Sequence, residues 1–477
     1  MAEIHELTAL EQWQSLQGGD LSPTELTAHY LDRIRMLNPG LGAFVTVTEE
    51  AAERRAHQVE TEVPPTAVLW GLASGDKDLW RRAGVPAGFG SRLLSGFVPD
   101  TSDEIVQTLD AAGAISLGKT NTPEFGLPCY TESLVAAPAR NPWNPRLGAG
   151  GSSGGAAVAV AAGMLPFAPG SDGGGSIRIP AAACGLVGLK PSRGTVPGGS
   201  GIGSLGGLVV DGPIARSVAD AALLLDAMIG RDRHGRPDHH FALRPAAVDS
   251  GPLLSAAVRG DGRYQLGVMT SSAWDDAYEI VIDRAALTAL QVAVDGFAAL
   301  GHGIEQATIR GDDHYAPAFR TIWQVAAASI PAETTEQEEL LEPLTRWLVR
   351  RGRAIPARQL AESLAVLSEY ERSLIEQLSR FDAVLTPALA MTPRPVGWFD
   401  GDDGELNFAQ QVQYTPFTSM INVSGLPAIT LPVHLTDDGL PMGVQLIGRP
   451  GGEATLLALG AQLERRIPWQ RRHPPSW

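Results

Sequence analysis

Two glycine-rich turns constrain this chain more than any other stretch. The first is Gly150-Gly-Ser152-Ser153-Gly-Gly155 and the second is Gly170-Ser-Asp172-Gly173-Gly174-Gly175-Ser176-Ile-Arg178-Ile-Pro180. Between them lies an Ala-rich apolar run that reads as one helix, Ala156 to about Met164. Glycine serves where backbone must pass through positive φ or approach another group closely. Consecutive Gly-Gly-Gly-Ser also offers a row of backbone N–H groups with no side chains to shield them. Such a row can bind a carboxylate, a phosphate or the oxyanion of an acyl-transfer intermediate.

Gly/Ser runs are commonly flexible linkers, but these two flank a strongly apolar segment well inside the chain, which argues for burial. A phosphate-binding loop requires Lys after its last glycine, and a dinucleotide site requires a downstream acid; neither pattern is present. The remaining reading is a nucleophilic serine over an oxyanion hole, and it needs a base. No histidine lies between His57 and His234, so a histidine base would come from a distant segment. A lysine base is equally legitimate chemically.

This stretch resembles the signature of the amidase signature family, serine hydrolases with a Ser–cis-Ser–Lys triad. The similarity continues through Ala181-Ala-Ala-Cys184-Gly-Leu-Val-Gly-Leu-Lys190-Pro191. Gly71-Leu-Ala-Ser-Gly-Asp-Lys77-Asp78 resembles the family's lysine motif, and Gly118-Lys-Thr-Asn121-Thr-Pro-Glu124-Phe125-Gly126 resembles its next loop. Asn422-Val-Ser-Gly425-Leu-Pro427 with Gly439-Leu-Pro-Met-Gly443-Val-Gln445-Leu resembles its C-terminal strand pair. The motifs follow the family's order over roughly residues 5 to 465, and the spacings of Lys77, Ser152 and Ser176 fit its triad.

Composition bounds the rest. The chain has 477 residues, 44% hydrophobic and 19% charged, ordinary for a soluble globular protein with a sizeable core. A formal charge of −16 argues against a nucleic-acid partner. The longest apolar run, Ala156 to Pro169, is too short and too interrupted to span a bilayer. With no charged-then-apolar leader pattern at Met1, a cytoplasmic location is expected. Cys129 and Cys184 are too few for a disulfide scaffold or a zinc site. The histidines show no metal spacing; His234, His239 and His240 read as solvated loop. Neither a metal nor a cofactor is expected, and the chain is expected to act as a monomer or homodimer.

Alternating strands and helices with long apolar strands give an α/β/α sandwich. The family's version is one domain, here residues 1–477, around a large mixed, mostly parallel central sheet with helices on both faces. Residues 1–65 read as a helical cover, opened at Ser22-Pro-Thr-Glu25 by a capping box and ending its helix near Leu37. Ala67 to Ser74 reads as the strand leading to Lys77. Residues 266–269, 280–300 and 303–307 read as a βαβ unit and hence a parallel strand pair. Residues 231–262 read as a surface excursion and 315–405 as a variable substrate-entrance region, with Asp400 to Glu405 a rim.

The resemblance implies the mechanism. Neutral Lys77 takes a proton from Ser152, which takes one from Ser176, and Ser176 attacks the carbonyl. The lysine's ordinary pKa of about 10.4 must fall by several units, each costing about 1.4 kcal/mol, and burial is the means. Asp78 should therefore point away from it. Backbone N–H groups of Gly173, Gly174, Gly175 and Ser176 would hold the oxyanion, donors worth roughly 3–4 kcal/mol each. A cis peptide before Ser152 is expected. Ser153 and Thr120 would be supporting donors, and Asp172 with Arg178 would brace the oxyanion turn. Phe125, Gly126, Leu127, Tyr130, Trp323, Tyr414 and Phe417 are the candidates for the substrate pocket. Gly173 departs from the family pattern, which often has Thr there.

The expected activity is cleavage of a carboxamide in a small-molecule or oligomeric amide through an acyl-enzyme, with esters, anilides and carbamates as further substrates. The alternative is the glutaminase subunit of a tRNA-dependent amidotransferase. Those typically carry Arg-Gln-Pro after the nucleophile, where this chain has Arg178-Ile-Pro180.

Overall fold

The capping box at Ser22 forms as the sequence predicts in a computed structural model that describes residues 3–197, 204–230 and 252–477. Ser22 accepts from the Glu25 N–H at 3.2 Å, and Glu25 accepts from the Ser22 N–H at 2.9 Å. The helix Pro23–Leu41 runs past the expected stop, because the Gly42 N–H reaches the Asn38 carbonyl at 2.8 Å. Gly42, at φ 64°, then ends it.

The N-terminal region is more than a cover, since it supplies a strand. β1 (Phe44–Val47), β2 (Ala73–Lys77) and β3 (Ile115–Thr120) form a small sheet in the order β1-β3-β2. β2 begins at Ala73 rather than Ala67, and residues before it turn instead of extending.

The large sheet has eight strands: β4 (Phe167–Asp172), β5 (Val187–Lys190), β6 (Val210–Ala215), β7 (Gln265–Val268), β8 (Gly303–Gln306), β9 (Ala383–Pro387), β10 (Ala428–Leu435) and β11 (Pro441–Gly448). Their order is β4-β6-β5-β10-β11-β9-β7-β8, and helices flank the sheet. The sheet is mixed, but the expectation of mostly parallel pairing is corrected. The ladder from β4 through β6, β5, β10 and β11 to β9 is antiparallel; β9–β7 and β7–β8 are parallel. The parallel end is the βαβ unit read from sequence, whose helix is Arg284–Ala299. β4 escapes sequence reading because Pro169 and Gly170 stand inside it, residues that ordinarily argue against a strand interior.

The helix between the two glycine turns is Gly154–Ala161, and every residue of it is buried. It starts two residues early, on glycines that the packing around them requires. A Cβ on Gly155 would lie 2.2 Å from the Asn121 nitrogen, and one on Gly154 would lie 2.3 Å from Thr131 Oγ1. This close seating holds the first turn against the loop after β3.

The end of the expected surface excursion is instead a helix, Leu253–Arg259, with Leu253, Ala256 and Ala257 buried. Asp226 holds its start by accepting from the Leu253 and Leu254 N–H groups at 2.8 and 2.9 Å. Residues 231–251, with His234, His239 and His240, lie outside the described residues. The expected rim at Asp400–Glu405 is ordered by Asp403, which caps the helix Gly404–Tyr414. Among the described residues no helix is long and apolar enough to cross a membrane.

Candidate active site

Lys77 is the last residue of β2, and its side chain is wholly buried. β2 runs close beside β4, so the amine of the small sheet meets the polar end of a strand from the large one. Its Nζ donates to Ser152 Oγ at 2.8 Å, Ser153 Oγ at 2.9 Å, Ser171 Oγ at 2.9 Å and, more weakly, the Ser171 carbonyl at 3.3 Å. Burial pulls the amine from its ordinary 10.5 down to about 7, against the opposing pull of Asp211 and Asp172. Asp78 does point away: its carboxylate lies 3.7 Å from Lys119 Nζ.

The Gly151–Ser152 peptide is cis. The neighbouring Ser153 N–H donates to the Ser176 carbonyl at 3.1 Å, which ties the first glycine turn to the second. Among the described residues no hydrogen bond joins the Ser152 and Ser176 hydroxyls directly. Ser176 itself stands at the foot of a cleft, just before the helix Arg178–Cys184.

The second turn is shaped by Asp172. Its carboxylate accepts from the Gly175 N–H at 2.7 Å and the Ile177 N–H at 3.1 Å. The Gly175 N–H, one of the four donors expected from the sequence, is therefore already engaged. Burial would raise the Asp172 carboxyl, but the Arg178 guanidinium overrides it and holds the group well below the usual carboxylate range. Arg178 grips it through Nε at 3.0 Å and Nη2 at 2.9 Å. The same guanidinium donates to Gln445 Oε1 and Asn422 Oδ1, each at 2.6 Å. Asn422 in turn donates to the Asp172 carboxylate at 2.8 Å.

Gly175 has φ 131°, and a Cβ there would lie 2.5 Å from Thr418 Oγ1 and 2.6 Å from Ile179 Cδ1. Gly175→Ala is thus expected to push the turn out of place and lower kcat/KM by about 10²-fold or more, with far-UV circular dichroism unchanged. Wild-type turnover by that variant would show that the turn's geometry is unimportant. Gly173, where the family often has Thr, is packed closely on Val209; an added Cβ would sit 3.2 Å from it, so that side chain must give way, and 3.7 Å from Trp323.

The other expected residues separate into those at the cleft and those behind it. Leu127 and Trp323 line the cleft with Ser176. Gly126 lies against Ser152, where a Cβ would be 3.3 Å from Oγ. Phe125 sits in a side cluster with Leu127, Trp323 and Trp347. Tyr130 stacks on Phe399 with ring centroids 4.3 Å apart and accepts from Asn407 at 2.8 Å. Tyr414 is buried in the same cluster, and Phe417 is fully buried with its carbonyl bonded to Gln445 at 3.0 Å. These four support the wall and do not face the cleft. Thr120 is corrected too: its hydroxyl reaches the Asp76 carbonyl at 3.4 Å and none of the serines.

Sequence reading missed most of the lining. Trp274, Phe319 and Phe408 form its aromatic wall, with Ile179, Val412 and Cys129 beside them and Gln411, Thr415 and Ser419 as polar points. Trp274 meets Phe319 and Phe408 edge-on at 5.4 and 5.9 Å and donates to Ser419 Oγ at 2.9 Å. The cleft is narrow, with a cavity volume of about 60 Å³. Among the described residues no charged side chain lines it.

Comparison with known proteins identifies the family. A family model described as Amidase matches residues 25–457. AmiB2 of Mycobacterium tuberculosis, an amidase by name, is 37% identical over 98% of this chain and 97% of its own length. The 6-aminohexanoate-cyclic-dimer hydrolase of Paenarthrobacter ureafaciens is 32% identical, covering 98% of this chain and 96% of its own. A solved structure of a 6-aminohexanoate cyclic dimer hydrolase complexed with substrate superposes with a TM-score of 0.88 at 31% identity, covering 99% of each chain. A bacterial aryl acylamidase of the amidase signature family superposes at 0.83 with 26% identity over 98% of each. The chain belongs to the amidase signature family and is an amidase, a hydrolase of carbon–nitrogen amide bonds.

Proposed function

We propose that this amidase works through an acyl-enzyme on Ser176, with Lys77 as the base and Ser152 as the relay between them. The observation that carries the reading is the wholly buried Lys77 amine, brought to about 7 and hydrogen-bonded at 2.8 Å to Ser152. Lys77 takes the Ser152 proton as Ser152 takes that of Ser176, and the Ser176 oxygen bonds to the substrate carbonyl carbon. The Ser152–Ser176 hydrogen bond forms as substrate seats, the step at which catalytic contacts commonly tighten. The Gly173, Gly174 and Ser176 N–H groups hold the oxyanion. The relay then runs backwards and delivers the proton to the departing amine as the carbon–nitrogen bond breaks. Water, deprotonated by the same relay, releases the acid and restores Ser176.

The substrate class follows from the cleft. Its aromatic and aliphatic wall, free of charged side chains among the described residues, suits an uncharged acyl group, aromatic or aliphatic. Anilides, esters and carbamates with such groups fit the same chemistry. An ionised group seated there would lose its water with no partner, a cost of several kcal/mol.

A fluorophosphonate is expected to label Ser176. Labelling and kcat/KM should both rise with pH through about 7, because Lys77 must be neutral to act. Well below that value the rate should fall about tenfold per pH unit. In a panel of acyl anilides, uncharged aromatic groups should exceed charged analogues by about 10²-fold or more in kcat/KM. Label on another residue, or equal rates for charged and neutral acyl groups, counts against the reading.

A further inference from the structure

Asp211 is a buried acid beside this site that the proposed mechanism leaves unused. It stands on β6 directly opposite Ser171 of β4 in antiparallel register. Residues so paired project from the same face of a sheet, with Cβ atoms about 5 Å apart. The Ser171 hydroxyl is 2.9 Å from Lys77 Nζ, so the Asp211 carboxyl shares the face on which the amine sits. It is only 7% exposed, and its side chain makes no hydrogen bond or contact ion pair among the described residues. The charged groups that face the pair are few. Lys77 feels Asp211 and Asp172, and Asp172 is neutralised by Arg178. Asp211 feels Lys77 and, from the end of the neighbouring loop, Asp103.

We propose that Asp211 is a positioning residue for the base: across the β4–β6 ladder from Ser171, its carboxylate stabilises the ammonium that Lys77 becomes during acylation. The inference rests on Lys77 being that base. Burial alone drives an amine towards neutrality, and an amine too weak to hold a proton cannot deliver it to the leaving group. A nearby carboxylate offsets the desolvation without forming a contact pair that would fix the proton in place. Burial lifts the Asp211 carboxyl to about 7 while Lys77 pulls it down, so the two titrate as a pair. The active form above that range is neutral lysine beside ionised aspartate.

The test compares kcat/KM across the neutral pH range for the full chain and its D211N, D211E and K77A variants on an uncharged acyl anilide. D211N should lower the plateau and move the acid limb down by about one pH unit, the lower end for loss of one nearby opposite charge. D211E should keep the limb near its wild-type place. A merely structural role would lower the rate and leave the limb unmoved, and that result overturns the inference while the base reading stands. Wild-type activity in K77A overturns both. Should the Asp211 variants fail to fold, K77M gives a second measurement. Without the amine, the infrared band of a buried protonated carboxyl should appear at higher pH than in wild type, and its failure to move overturns the proposal.

Discussion

If Ser176 is the nucleophile we propose, Ser176→Ala is expected to lower kcat by about four to six orders of magnitude on any acyl substrate, the loss typical of a serine hydrolase without its nucleophile. Folding should be untouched, because the Ser176 side chain lies at the cleft rather than in the core and its structural tie is its carbonyl, which accepts from the Ser153 N–H. Lys77→Ala and Ser152→Ala are expected to approach the same floor. Combining either with Ser176→Ala should cost little more, since residues that act as one relay are strongly non-additive. Single-turnover assays on an activated ester, with thermal melts as the folding control, make the measurement. A Ser176→Ala enzyme that retains more than about a hundredth of wild-type turnover would falsify the acyl-enzyme reading.

Arg178→Met is expected to be the most damaging change to stability near the site, about 3–5 kcal/mol by urea unfolding. It leaves the Asp172 carboxylate buried without its counter-charge. The same change should also remove activity, since Asp172 fixes the Gly175 and Ile177 N–H groups that shape the proposed oxyanion turn. Adding Asp172→Asn should recover part of the stability and little of the rate. The sign with pH is definite. Asp172 is held below its ordinary value, so its pairing stabilises the fold fully at neutral pH and is lost only as acid takes the solution below the usual carboxylate range. Unfolding of Arg178→Met at the wild-type urea midpoint would show that Asn422 suffices alone.

What could be read from the sequence was what short-range pattern encodes. The glycine turns, the lysine at a strand end and the βαβ unit are each patterns local in sequence, and each stands where the sequence puts it. Strand direction does not announce itself. That β5 lies between β6 and β10 depends on partners far along the chain, and Pro169 and Gly170 disguised β4 altogether. The brace behind the turn shows the same limit: Asn422 and Gln445 were visible as motifs, yet nothing local says that they end 244 and 267 positions away on Arg178. The cleft was least legible. Trp274, Phe319 and Phe408 meet there from three separate segments, whereas Tyr130, Tyr414 and Phe417 drew notice by lying near recognisable motifs and are held in the wall.

Because Lys77 ends a strand of the small sheet while Ser171 and Asp172 end a strand of the large one, the proposed proton path crosses a seam between two independently paired layers. The seam is closed by side-chain contacts rather than by a backbone ladder. A slight parting of the layers under heat or mild denaturant would break the Lys77–serine contacts while both sheets stayed whole. Turnover is therefore the first property such a molecule surrenders, ahead of any change in its secondary structure.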